Sequence, residues 1–315
     1  MIRYLARRLA LLALTLLLTS LLIFFLTQLL PGDVARLILG REASEARVAQ
    51  FRAEFGLDDP PLVQYGRWLG GFLTGDWGRS FAAGNPPVRP FVLDRLGNSL
   101  VLAAFTLALS VPLGLLLGLL AAVRHQTWID NLIAIVTLSV VGLPEFVSGI
   151  VLVNVFALGL GWLPATTIFT PNMTLSEWLR FLILPALSAS LALVGYIARL
   201  TRVGVLDELS KPYVRTARLK GLPPRRVLLR HVLPNALLPV IAVVAISTGW
   251  LIGGIVVIEN VYNYPGIGSE LVRAVLQKNL PVIQAITTII VFVFAVANFV
   301  ADALMALLNP RVRLA

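Results

Sequence analysis

Residues 199–235 read RLTRVGVLDELSKPYVRTARLKGLPPRRVLLRHVLPN, a basic island between two strongly apolar stretches. Arg199, Arg202, Lys211, Arg215, Arg218, Lys220, Arg225, Arg226 and Arg230 are set against only Asp207 and Glu208. Lys and Arg near the ends of membrane spans are retained on the cytoplasmic side, so the island marks an internal loop of a polytopic membrane protein. It also carries the punctuation of a folded unit. Ser210 suits a helix N-cap, Pro212 a first turn, and Gly221 followed by Pro223 and Pro224 a stop. The expected product is a short, rigid, basic helical hairpin within the loop 199–236, a shape suited to docking.

Working outward, the composition agrees. Hydrophobic residues make up 58% of the 315 positions and charged residues 13%, whereas a soluble domain carries about 25% charged residues. Apolar runs of spanning length, about 20 residues at 1.5 Å each, fall near 9–30, 98–123, 132–160, 181–200, 237–258 and 284–308. None alternates as a β-barrel strand would. The expectation is therefore an all-α protein with six transmembrane helices and both termini cytoplasmic. Its parts are a first span over 1–30, an external region over 31–97, a five-helix core over 98–308 and a cytoplasmic tail over 309–315. The net charge of +10 is concentrated in the expected cytoplasmic pieces. It reflects topology and interaction with lipid headgroups rather than nucleic-acid binding. The region 31–97 is balanced in charge, and it exceeds the roughly 60 residues beyond which charge ceases to fix orientation.

The N-terminal arginines and apolar run differ from a cleavable signal, whose apolar core is about 7–15 residues. Here the run continues to Leu30 and meets Pro31-Gly32-Asp33. Within 31–97, residues 42–56 have helical spacing with Gly56 as a cap, and Leu62–Leu73 form an amphipathic piece carrying Tyr65, Trp68 and Phe72. The third span is interrupted by Gly142-Leu143-Pro144-Glu145. Proline frees a backbone carbonyl and kinks the helix. A carboxylate at that depth costs about 2.5–3.5 kcal/mol on insertion scales and so belongs in a cavity or beside a partner. Pro144 and Glu145 are thus candidates for a translocation path. Glu145 either meets a cationic cargo group or hydrogen-bonds the backbone freed by Pro144. Asp302, near the end of the last span, is expected to pair with a basic loop residue.

Several chemistries are missing. No phosphate-loop motif occurs, so this chain binds no nucleoside triphosphate by that device. His125 and His231 fall in expected cytoplasmic loops, too far from Ser148 to activate it, and Ser148 reads as a packing residue. With no cysteine and no carboxylate–histidine cluster, neither a disulfide nor a metal site is expected. No enzymatic chemistry is expected of this chain.

The stretch from Gly221 to the His-Val-Leu-Pro ending at Pro234 resembles the cytoplasmic EAA loop of ABC-transporter permeases. Arg215-Thr216-Ala217 stands for the Glu-Ala-Ala triplet and His231 for an isoleucine. Tyr213-Val-Arg-Thr-Ala-Arg218-Leu-Lys-Gly221 is similar to the dipeptide/oligopeptide/nickel branch. Leu57-Asp58 through Gly75-Asp76, Glu259…Tyr262…Pro265-Gly266-Ile267-Gly268 and Asn309-Pro-Arg-Val-Arg agree in order along the chain.

The resemblance implies a type I importer permease, the B-type subunit of a heterodimer with a second, C-type permease. Its partners would be two ATP-binding subunits, which hold the ATP and Mg, and an external solute-binding protein. It implies a bacterial or archaeal cytoplasmic membrane and a cargo of peptides or a related small solute. Lys211–Lys220 would be the coupling helix, with Tyr213, Arg215, Thr216, Ala217, Arg218, Lys220 and Gly221 in ATPase coupling. Glu259, Tyr262, Pro265, Gly266 and Gly268 would serve the external gate or the binding-protein dock. The competing reading is a proton-coupled secondary transporter using Glu145 and Asp302. It is weakened by the lack of a repeat relating the two halves, and it leaves the docking hairpin unexplained.

Overall fold

The computed structural model describes residues 2–28, 34–40, 43–81, 84–170 and 173–308. Pro31–Asp33 and the closing residues 309–315 lie outside the described residues. No strand occurs among those described, apart from one isolated bridge between Arg79 and Pro87. The helices are α1 (Ile2–Gln28), α2 (Val34–Leu39), α3 (Glu45–Phe55), α4 (Pro61–Thr74), α5 (Val88–Val123), α6 (Trp128–Val141) and α7 (Glu145–Leu152). There follow α8 (Leu175–Leu209), α9 (Pro212–Leu219), α10 (Pro224–Val227), α11 (Leu233–Ala236), α12 (Leu238–Val261), α13 (Ile267–Leu276) and α14 (Leu280–Leu308). Two π-helical stretches, Val153–Gly159 and Leu228–Val232, extend α7 and join α10 to α11.

Helices α1, α5, α8 and α14 are each long and apolar enough to cross a membrane. Counting each of two bent helix pairs as one span brings the total to six. One is Trp128–Val141 with Glu145–Gly159, bent by 107°, and the other is Pro224–Ala236 with Leu238–Gly249, bent by 46°. The sharper bend falls at Gly142-Leu143-Pro144, where the proline has no N–H to continue the ladder.

The helices approach closely where side chains are smallest. Thr106, Ser110, Gly114, Gly118 and Ala122 recur every four residues along one buried stripe of α5. A Cβ on Gly114 would lie 2.7 Å from Ile197, and one on Gly118 would lie 2.6 Å from the Thr201 Cβ and overlap the Ala198 carbonyl. Lipid offers no hydrophobic drive for helix association, so this backbone approach is what packs α5 on α8. Similarly, a Cβ on Gly195 of α8 would lie 2.9 Å from the Thr137 carbonyl of α6.

Some boundaries differ from those read in the sequence. The second span begins at Val88, so the last residues of the region 31–97 already belong to α5. The fourth runs over Leu175–Leu209, opened by a capping box in which the Thr174 side chain and Glu177 serve each other's backbone N–H. The basic island thus begins inside α8 and contains a loop only around Ser210 and near Gly221. Ser210 is not an N-cap. It closes α8, its hydroxyl bonding back to the Asp207 carbonyl at 2.7 Å, and Lys211 with extended backbone starts α9. Nor is His231 in a loop, since it lies in the π-helical turn. Asp302 forms an ion pair at 2.8 Å, but its partner is Arg8 of α1 rather than a loop residue.

The N-terminal helices pack through aromatic rings. Phe24 of α1 meets Tyr65 and Trp68 of α4, and Trp68, Phe72 and Trp77 continue the series. Tyr65 is tied to Ser20 at 2.8 Å. Helix α3 ends as its spacing predicts, with Gly56 left-handed at φ 60°.

Candidate functional site: a docking helix, a broken span and a clasped loop

Helix α9 is short, yet it is fixed on every inward side. Val214 and Ala217, three residues apart, turn into a buried cluster with Ala122 of α5, Val205 of α8, and Val227, Val232 and Ala236. Its N-terminus is rooted on the last turn of α8. Lys211 pairs with Glu208, and the Tyr213 hydroxyl donates to the other Glu208 oxygen at 2.5 Å. Asn235 Nδ2 donates to the Tyr213 oxygen at 3.4 Å. Burial, reinforced by Glu208, pushes the Tyr213 phenol above its ordinary pKa and keeps it a donor. The Glu208 hydrogen bond likewise raises Lys211 and holds it charged.

The other end closes in a Schellman turn. Gly221 N bonds to the Arg218 carbonyl at 2.9 Å and Leu222 N to the Ala217 carbonyl at 3.4 Å, with Gly221 at φ 75°. The left-handed position requires glycine, because a Cβ there would cost about 1–2 kcal/mol. What remains outward is a basic face: Arg215, Arg218 and Lys220 with Thr216, around Leu219 at 80% exposure. None of these three cations has an ion-pair partner among the described residues.

At the break in the third span, Glu145 is the first residue of α7 and is half-buried. Its carboxylate has no hydrogen-bond partner among the described residues, so the expected alternative of a bond to backbone freed by Pro144 is not formed. Ser148, 7% exposed, returns its hydroxyl to the Glu145 carbonyl at 2.8 Å and is a packing residue. Tyr262 holds α7 in place, its hydroxyl bonding to Ser188 at 2.6 Å and donating to the Gly149 carbonyl at 3.1 Å.

The Glu259–Gly268 loop sits at the end of the bundle opposite α9. Glu259 is fully buried. One carboxyl oxygen accepts from Gly268 N at 2.7 Å and Ser269 N at 2.9 Å, and the other meets the Ser99 hydroxyl at 2.5 Å. Ser99 Oγ in turn accepts from Ile267 N at 2.8 Å. The first three N–H groups of α13, which no helix can satisfy itself, are therefore capped from α12 and α5. Gly266 is small for this reason, since a Cβ there would overlap the Glu259 carboxyl group. Gly268 is small because a Cβ would lie 2.6 Å from the Val256 backbone. Tyr262 and Tyr264 are buried, Pro265 is partly exposed and Asn263 reaches the surface.

Sequence reasoning passed over three contributors. Ser99 is unremarkable in its own segment, and the α5 glycines read as part of an apolar run. Arg202 reads as one more charge of the basic island, although it forms a two-pronged pair with the buried Asp130. Among the described residues no group of three His, Asp or Glu is arranged to hold a metal.

Two family models match consecutive parts of the chain. "Binding-protein-dependent transport system inner membrane component" matches residues 114–314, and the N-terminal model of the same system matches residues 1–106. The "Probable peptide ABC transporter permease protein" of Sinorhizobium fredii is 37% identical over 312 residues, 98% of this chain and 99% of its own length. The glutathione transport system permease protein of Salmonella paratyphi A is 37% identical over 313 residues, 99% of both chains.

Proposed function

The chain belongs to the family of binding-protein-dependent transport system inner membrane components and is a permease subunit of an ABC importer, and from that premise we propose that it moves peptides through a pore shared with a second permease. Two ATP-binding subunits drive the pore from the cytoplasm, holding ATP and Mg, and a solute-binding protein loads it from outside. Helix α9 is the seat of an ATP-binding subunit, which puts the α9 end of the bundle in the cytoplasm.

One observation carries this reading: a buried-in helix presents Arg215, Arg218 and Lys220 outward, without ion-pair partners among the described residues. A surface so fixed moves as a rigid body with whatever holds it. Pro144 and Glu145 line the cargo path, where the unpartnered carboxylate receives the amino terminus of a peptide. The Glu259–Gly268 loop, with Tyr262, Pro265 and Gly266, shapes the external gate. Its buried residues set the form of the surface that the binding protein meets. The proton-coupled reading loses its second acid, since Asp302 is engaged by Arg8.

A mild-detergent pull-down of the tagged chain from its native host tests this reading. Recovery of a second permease and of phosphate-loop ATPases is expected. Arg218→Glu should lower ATPase recovery at least about tenfold, the loss of one charge-assisted contact plus a repulsion, while keeping the second permease. Recovery of the chain alone, or full ATPase recovery with the reversed charge, would overturn the assignment of α9.

A further inference from the structure

Away from these sites, a charged cluster joins two helices at the α9 end. Asp130, 2% exposed, lies in the first turn of α6 and is the only charged residue of that helix. Arg202 of α8 grips it with two nitrogens, Nε to Oδ1 at 2.6 Å and Nη2 to Oδ2 at 2.8 Å. Gln126 N adds a third bond at 3.0 Å, and His125 Nδ1 stands 3.1 Å from the same oxygen. Both lie in the turn between α5 and α6.

The placement of this cluster matters more than its strength. Arg202 sits seven residues before the end of α8 at Leu209, roughly 10 Å along the helix axis at 1.5 Å per residue, and α9 follows one turn later. The last turn of α8 carries Glu208, to which Lys211 and Tyr213 of α9 are bound. From Asp130, α6 runs to Val141 and ends at the Gly142–Pro144 break, next to Glu145. A continuous chain of contacts thus leads from the docking helix to the only sharp bend in the third span.

We propose that the Asp130–Arg202 pair is a positioning joint that makes α6 follow α8, so that displacement of α9 changes the angle at Gly142–Pro144 and the setting of Glu145. A bidentate guanidinium–carboxylate pair fixes distance and orientation together, which a single contact does not. Asp130 is buried and Arg202 partly so, which weakens screening of the pair by salt. Stability alone does not call for it, because a buried ion pair replaced by apolar residues of similar size is often no less stable. Over the next turns α6 and α8 touch at Thr137, Val141 and Gly195, with no hydrogen bond between the two helices there among the described residues. Without the joint, α8 can move and leave α6 behind.

The inference rests on α9 being the ATPase seat, and the test separates the two. The chain has no cysteine, so Leu143→Cys, at a position 46% exposed, is a single labelling site at the bend. The full transporter is reconstituted in proteoliposomes. Its maleimide labelling rate is measured with and without ATP and loaded binding protein, alongside ATP hydrolysis and transport.

With the native pair, nucleotide should change the labelling rate severalfold. In Asp130→Leu/Arg202→Met, which leaves no buried charge unpaired, hydrolysis should persist. The nucleotide effect on labelling should vanish, and transport per ATP should fall at least about tenfold. Arg202→Lys keeps the charge and loses the fork, and it should give an intermediate ratio with normal assembly. Native transport per ATP and native labelling response in both variants would overturn the joint while leaving α9 as the seat. Absence of any nucleotide response at Leu143 in a wild-type complex that still hydrolyses ATP and transports would overturn the joint while leaving α9 as the seat.

Discussion

Glu259→Ala should release the first turn of α13. Its carboxyl group accepts from Gly268 N and Ser269 N and meets the Ser99 hydroxyl, which itself receives Ile267 N. The N-cap position is Gly266, which has no side chain to take over. Truncation strands two N–H groups in a site where Glu259 is 0% and Glu270 8% exposed. Each buried, unmet donor costs about 1–3 kcal/mol, so the pair costs about 2–6 kcal/mol. Water entering the vacated space draws the cost toward the lower bound, and about 2 kcal/mol still corresponds to roughly thirtyfold in a local opening equilibrium.

Glu259→Gln keeps an oxygen for both N–H groups and the original volume, and forfeits mainly the Ser99 contact, about 1 kcal/mol. Hydrogen–deuterium exchange of residues 264–276 in nanodiscs reads the difference. The Ala variant should exchange at least about thirtyfold faster over Ile267–Glu270 and the Gln variant within about tenfold of native, with α5 and α8 unchanged. Native protection in Glu259→Ala would show that the turn is ordered by something else and would refute the capping argument.

Gly118→Leu forces side-chain volume against Thr201 and the Ala198 carbonyl, an overpacking of about 1–3 kcal/mol or more. A lower unfolding midpoint in detergent and less assembled complex are expected, and an unchanged midpoint would mean that α5 and α8 are not held by close approach. Glu145→Gln preserves shape and removes the charge, so transport of peptides with a free amino terminus should fall about tenfold, the loss of roughly 1–2 kcal/mol of charge assistance. Amino-blocked peptides should be much less affected and assembly unaltered; equal transport of free peptides by the variant and the native protein would remove Glu145 from the path.

What the sequence disclosed were features whose cause lies within a few residues. Gly221 is left-handed and Gly56 caps α3 because glycine has no Cβ penalty there, and that holds whatever surrounds them. The break at Pro144 follows from a missing N–H. Boundaries were less legible where a partner distant in the chain decides them. Arg199 to Glu208 read as loop because charges are costly in a span, yet α8 continues through them. Arg202 is neutralised by a residue 72 positions away, and Glu208 is engaged by residues just past the helix end. Likewise the Pro265–Gly268 motif carries a clear glycine signal, but not its reason. That reason is a carboxyl group seven residues before Gly266 and a serine hydroxyl on α5.

These long-range ties converge on α8. The apolar window of α8 is 61% buried, against 11% for α1, so α8 is the spine and α1 a peripheral helix. Along its length α8 meets Tyr262 through Ser188, α6 through Gly195 and again through Arg202, and α9 through Glu208. A push delivered at α9 is therefore not absorbed in a hinge between α8 and α9, because Lys211 and Tyr213 brace that corner. It must appear further up, at the first junction where the backbone ladder is interrupted. In α6, the neighbour that α8 holds through an ion pair, that junction is the proline break beside Glu145. Glu145, whose carboxylate has no hydrogen-bond partner among the described residues, thus stands at the place where such a displacement has the least resistance to meet.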